Sequence, residues 1–207
     1  MKRLFSCILT LALSIVFTLN ANAQNTSAQA RKILEKTSHV IGRPGGISAS
    51  FSLHHPTNGT INGSIAIKGN KFNARTSQAI VWFNGKTQWT YMKKNDEVNV
   101  TTPTLAQQQM MNPYTFINIY KKGYTLSSKN IGSSNEVHLV AQTNKQSIQE
   151  MYVTINKKSF TPSKIRMKHG GKWYNITIGD FSTKNQPNSL FTFNSKEFPT
   201  AEVIDLR

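Results

Sequence analysis

From about position 47 onward, apolar and polar residues alternate in short runs that turn residues break every 8–12 positions or so, and no other feature constrains the fold as much. Ala49, Phe51 and Leu53 alternate before Pro56-Thr57-Asn58-Gly59, and Ile61, Gly63, Ile65 and Ile67 before Lys68-Gly69-Asn70. Phe72 with Ala74, and Ile80 with Trp82, mark two further strands. Asn84-Gly85 is a two-residue hairpin signal leading to Trp89 and Tyr91, and Lys93 to Asp96 turns the chain into Val98 and Val100. The rhythm resumes over 124–129, 137–141, 151–155 and 164–169, turns at Gly170-Gly171 into 173–178, and alternates once more at Phe191-Thr192-Phe193. A strand that alternates buries one face only. About eleven such strands without a Gly- or Pro-rich linker predict one α+β, mostly β domain built on a meandering antiparallel sheet.

Two helices interrupt the strands. Ala30, Ile33, Leu34 and Thr37 recur at helical spacing behind a Thr26 or Ser27 cap, and Gly42, Pro44, Gly45 and Gly46 end the run. The second interruption spans Pro103 to Gly123. Leu105 to Met111 reads as a short helical turn, and Asn112-Pro113 restarts a helix with an Asn cap and Pro at its first position. Phe116, Ile117, Ile119 and Tyr120 then cluster on one face, Lys121 and Lys122 suit the C-terminal dipole, and Gly123 suits the stop.

The N-terminus reads as an export signal. Met1-Lys2-Arg3 is basic, Leu4 to Leu19 is apolar, and Ala21-Asn22-Ala23 is a small-x-small cleavage site. As a retained anchor the apolar run would be short for a span of about 20 residues. Residues 1–23 are therefore expected to be removed and 24–207 to form the domain, in the periplasm. The one cysteine, Cys7, lies in the signal, so the mature domain has neither disulfide nor thiolate. Losing Lys2 and Arg3 takes the 25 basic residues to 23 against 9 acidic ones, a charge of +14. That excess serves solubility beside anionic lipid, or attraction to an anionic surface or ligand. The lysines are scattered, no nucleic-acid motif is present, and no nucleic-acid partner is expected.

Reactive patterns fail one at a time. There is no Gly-x-Ser-x-Gly elbow. His54-His55 precedes a proline turn and reads as a solvated pair. His39, His138 and His169 are isolated from one another in sequence, Asp96-Glu97 falls at a hairpin turn, and Asp180 follows a strand. The chain is expected to be no enzyme, with no metal or other cofactor. The aromatic residues stand out instead. Phe51, Phe72, Trp82, Trp89, Tyr91, Phe116 and Tyr120 all fall on apolar faces, as ordinary core or as the wall of a cavity too large for one helix to cover.

The stretches Gly63-Ser64-x-x-x-Lys68-Gly69-Asn70-Lys71-Phe72 and Trp82-Phe83-Asn84-Gly85-Lys86-Thr87-x-Trp89-x-Tyr91 resemble the periplasmic outer-membrane lipoprotein carriers, the LolA-like family. Asn112-Pro113-x-x-Phe116 followed by Tyr120 looks like that family's mid-chain lid helix, and Phe191-Thr192-Phe193, Phe198-Pro199 and Glu202 to Asp205 resemble its closing strand and tail. The resemblance implies an unclosed antiparallel half-barrel with helices over an apolar concave face. It implies a carrier, expected to be a monomer, that shields lipoprotein acyl chains between an inner-membrane transporter and an outer-membrane acceptor. The expected cavity wall is Phe51, Ile65, Ile67, Phe72, Ile80, Trp82, Trp89 and Tyr91, and the expected lid contacts are Met110, Phe116, Ile119 and Tyr120. Phe72 matches a phenylalanine near the family's cavity mouth, and Gly69 replaces its lid-latching arginine. The competing reading is a binding or sensor module for an anionic lipid or lipopolysaccharide.

Overall fold

The spacing of Ala30, Ile33, Leu34, Thr37 and Ile41 puts all five on one stripe of a helix, and all five are buried in α1, residues 26–41. The structure is a computed structural model and describes residues 26–57, 59–104, 107–108 and 118–207. Thr37 avoids an unpaired buried hydroxyl by donating to the Ile33 carbonyl at 3.0 Å. Gly42 closes the last helical turn on Ser38, and Gly46, at φ +77°, turns the chain into the sheet in a conformation that only glycine adopts without strain.

Twelve strands follow. The first meander is β1 (Ile47–His55), β2 (Gly59–Lys68), β3 (Lys71–Thr76), β4 (Ala79–Phe83), β5 (Gln88–Met92) and β6 (Glu97–Thr101). The second is β7 (Tyr124–Ile131), β8 (Ser134–Ala141), β9 (Ile148–Asn156), β10 (Pro162–His169) and β11 (Lys172–Ser182). β11 returns to pair with β1, so the two meanders become one sheet ordered β12-β6-β5-β4-β3-β2-β1-β11-β10-β9-β8-β7. Among the described residues both edges stay open, as expected for an unclosed half-barrel.

Two expectations need correction. The last strand is β12 (Glu202–Asp205), which lies parallel to β6, so the sheet has twelve strands and is not antiparallel throughout. Phe191 to Phe193 is not a strand: Asn188–Phe191 is a 3₁₀ turn whose Phe191 is fully buried.

The expected helix from Asn112 lies outside the described residues as far as position 117. Of its remainder, Ile119–Lys121 is a single 3₁₀ turn, and Gly123 takes the expected positive φ of 80°. Tyr120 is buried in the cluster beneath α1, with Arg31 over its ring at 5.8 Å. Among the described residues, α1 is the one helix longer than a turn or two.

Cross-strand register sorts the side chains. Ile47, Ala49, Phe51, Ile65, Ile67, Phe72, Ala74, Val81 and Phe83 share the inner face with Ile165, Met167, Tyr174, Ile176 and Ile178. A 16-residue helix is about 24 Å long, whereas twelve strands spread over roughly 50 Å. α1 therefore covers only part of the inner face. One core cluster joins Ala30, Ile33 and Leu34 to Leu126, Val137, Leu139, Met151, Val153 and Ile155, and a second joins the helix end at Ile41 to Ile47, Ile67, Phe72 and Phe83.

The C-terminal segment covers part of the outer face. Its path is pinned where Gln186 donates its backbone N–H to Gly45 at 2.8 Å and accepts the Lys68 ammonium at 2.9 Å. Phe193 and Phe198 then pack on Trp82 with ring centroids 5.4 and 5.5 Å away, and Phe198 packs on Tyr91 at 4.7 Å. Asp96 accepts from Thr200 and Tyr91, which holds its carboxyl below the ordinary carboxylate range. That contribution is complete above the ordinary value and is lost as pH falls through the lower folded one.

Candidate functional site

The seam between the two core clusters is not filled. There the inner face holds a cavity of about 340 Å³ walled by Ile41, Ile47, Ala49, Phe51, Leu53, Ile65, Ile67 and Ala74 from one meander and α1. Pro162, Ile165, Met167, Tyr174, Ile176, Ile178 and Phe181 line it from the other, and Ser50 of β1 lines it as well. It lies along β1 and β11, the central strands, whose branched aliphatics face it where α1 ends at Ile41.

Gly63 shapes the floor. It sits opposite Phe51 in the β1–β2 register, and a Cβ there would fall 2.7 Å from the Phe51 ring and inside contact distance of the Arg75 carbonyl. The missing side chain lets the Phe51 ring lie against the sheet. Gly63→Ala is expected to cost about 1–3 kcal/mol and to push Phe51 into the cavity, weakening the binding of an alkyl chain. Chemical denaturation and displacement of a fluorescent fatty acid measure the two effects separately.

Of the expected wall, Phe51, Ile65 and Ile67 line this cavity. Phe72 faces the same side but is packed into the second core cluster against Phe83, 5.5 Å between centroids, and is only 3% exposed. It is therefore core and not a mouth residue. Ile80, Trp82, Trp89 and Tyr91 point to the opposite face: Trp82 pairs with Trp89 and Ile80 with Tyr91, one residue out of step with Phe72, Ala74, Val81 and Phe83. The C-terminal segment covers Trp82 and Tyr91 there. Ile119 and Tyr120 pack on the cluster under α1, apart from the cavity, and Met110 and Phe116 lie outside the described residues.

Gly69 lies at the exposed tip of the β2–β3 hairpin with φ +59° and open space where a Cβ would stand. The turn explains a glycine there. A latch from this point would start outside the cavity.

The residues missed are Ile41, Ile47, Ala49, Ser50, Leu53 and Ala74, and those of β10 and β11. Their signal was in view, since Tyr174, Ile176 and Ile178 keep the same two-residue period as Phe51 and Leu53.

Among the described residues no carboxylate lines the cavity, and no three His, Cys, Asp or Glu side chains come together as a metal site. Beneath α1 the buried Tyr124 hydroxyl donates to the Ile148 carbonyl at 2.9 Å, and burial raises its pKa. It stays neutral. The arrangement can hold hydrocarbon.

A family described as "Outer membrane lipoprotein carrier protein LolA" matches residues 19–171. No curated protein sequence matches the chain. Among solved structures, a conserved protein from Thermus thermophilus superimposes with a TM-score of 0.60 at 11% identity, over 86% of this chain and 99% of that one. The fold is therefore shared with that protein. A LolA superfamily protein from Nitrosomonas europaea gives 0.44 at 13% identity, over 79% and 97%. LprF from Mycobacterium bovis gives 0.46 at 8%, over 78% and 96%.

Proposed function

This chain belongs to the outer membrane lipoprotein carrier family, LolA, and from that membership and the shape of its inner face we propose that it is a periplasmic carrier that shields lipoprotein acyl chains between the inner and outer membranes. The observation that carries this reading is the cavity at the β1–β11 seam, walled by aliphatic and aromatic groups. Each buried methylene is worth about 0.8 kcal/mol against water. A bilayer offers a chain the same environment, so loading and release both lie close to balance. That is the thermodynamic condition a carrier needs.

The family and the signal-like pattern of residues 1–23 support the compartment, with 24–207 as the carrier domain acting as a monomer. On this reading an inner-membrane transporter loads it and an outer-membrane acceptor unloads it. Purification from the envelope without detergent, followed by mass spectrometry of extracted material, is expected to yield an acylated peptide. Recovery of lipid A or phospholipid alone would turn the reading to a binding or sensor module for anionic lipid, which the charge of +14 on residues 24–207 favours. Recovery of no acyl chain, with none taken up on incubation with membranes, would end it.

A further inference from the structure

Apart from Ser50, whose hydroxyl donates to Asp180, the polar groups around the cavity gather at one end. Its wall follows β1 from Ile47 to Leu53, a run of about 20 Å. Ile41, Ile47 and Phe181 close the first end with hydrocarbon. At the other, Tyr174 lines the wall and carries the His55 ring edge-on at 5.2 Å between centroids, with the His169 ring at 6.4 Å. Lys172 pairs with His169 across the Gly170-Gly171 turn and stands two residues before Tyr174, so strand alternation puts it on the same face.

Both rings are held from behind: His169 Nδ1 donates to the Ser147 carbonyl at 2.7 Å, and His55 Nδ1 accepts the Thr57 backbone N–H at 3.1 Å. The nearest acidic side chains along these strands face away. Glu136 and Glu150 share the outer face, and Asp180 accepts from Ser50 at 2.8 Å. The cavity is thus an apolar slot with a basic rim and, among the described residues, no opposing charge in its wall.

We propose that this cavity binds a single-chain anionic amphiphile, with the alkyl tail along β1 and a carboxylate or phosphate head at the rim formed by His55, His169, Lys172 and Tyr174. The proposal rests on the acyl-chain reading above and narrows what the cavity takes. Volume sets the number of chains. A protein cavity of about 150 Å³ takes one benzene, so 340 Å³ takes about fourteen carbons. Three sixteen-carbon chains would need about 1200 Å³ on the same scale. Charge sets the head group: Lys172 is a standing cation, and a slot without carboxylates does not repel an anion.

The test titrates the full exported chain by calorimetry with myristate, 1-myristoyl-lysophosphatidylglycerol and tetradecanol, each below its aggregation limit, and counts bound chains by native mass spectrometry. The expected result is one chain per protein, with at least one of the anions held about tenfold or more tighter than tetradecanol. Lys172→Gln is expected to reduce that preference severalfold while leaving tetradecanol binding intact. Whichever anion binds more tightly identifies the head as carboxylate or phosphodiester. Tetradecanol held as tightly as both anions, two or more chains per protein, or a preference untouched by Lys172→Gln would overturn the proposal and leave the carrier reading standing. Binding of none of the three would remove both.

Discussion

Replacing Trp82 by alanine is expected to lower the stability of the fold by about 3–5 kcal/mol and to leave the affinity for an alkyl chain unchanged. Trp82 is 3% exposed, yet the groups on it are the Phe193 and Phe198 rings of the C-terminal segment and the Arg75 guanidinium, 5.9 Å from its ring, all on the face away from the cavity. Deleting the indole removes the surface on which that segment lies. Asn73 is buried beside it, its amide bonded to the Val81 carbonyl and to Arg75, so the loss also disturbs a satisfied polar pair. A domain of this kind is stable by about 5–15 kcal/mol, so above the bottom of that range the variant remains folded at room temperature. Its urea midpoint should fall by about 1–2 M, while titration with a fluorescent fatty acid gives the wild-type curve. A variant that keeps its stability and loses the ligand would return Trp82 to the cavity wall.

The misplacement of Trp82 shows where alternation stops being informative. In Ala79-Ile80-Val81-Trp82-Phe83 every residue is apolar, because β4 is covered on both faces: by Phe83's neighbours in the second core cluster and by the C-terminal rings on the other side. A strand buried twice has no polar residues to mark its outer face, and size then decides wrongly in favour of the tryptophan. Parity was readable where one face is wet. In β1 the serines at 48, 50 and 52 declare the outer face and leave Ile47, Ala49, Phe51 and Leu53 for the inner one, as found.

α1 was legible for the same reason, its apolar stripe being narrow and its other residues charged. The pairing of β1 with β11 was not. It joins residues 130 apart, such as Ser50 and Asp180, and no local pattern encodes which strand closes onto which. The cavity is a property of that long-range pairing, so its β10 and β11 wall could be seen as strands but not as a site.

A carboxylate placed at Ile65 is expected to abolish alkyl-chain binding without unfolding the protein. Ile65 stands between Ala49 and Ala74 on the inner face, two small side chains of the wall, and lines the slot beside them. In Ile65→Glu the carboxylate shares that space with any alkyl chain that enters. Stripping its water costs several kcal/mol or forces it to take up a proton. Either route falls on the bound state, because Ile65 is only half-buried and the glutamate keeps contact with water when no ligand is present. Affinity should therefore drop by about a hundredfold or more, which about 2.7 kcal/mol suffices to produce. Stability should change far less, since Ile65 packs only at the margin of the second core cluster. Ile65→Met, which keeps the volume and the apolar surface, is the control and should bind like the parent. The discriminating pair of measurements is the fatty-acid titration and the thermal midpoint. Unchanged affinity in Ile65→Glu would mean that hydrocarbon is held somewhere other than the β1–β11 seam, because Ile65 is part of that cavity's wall.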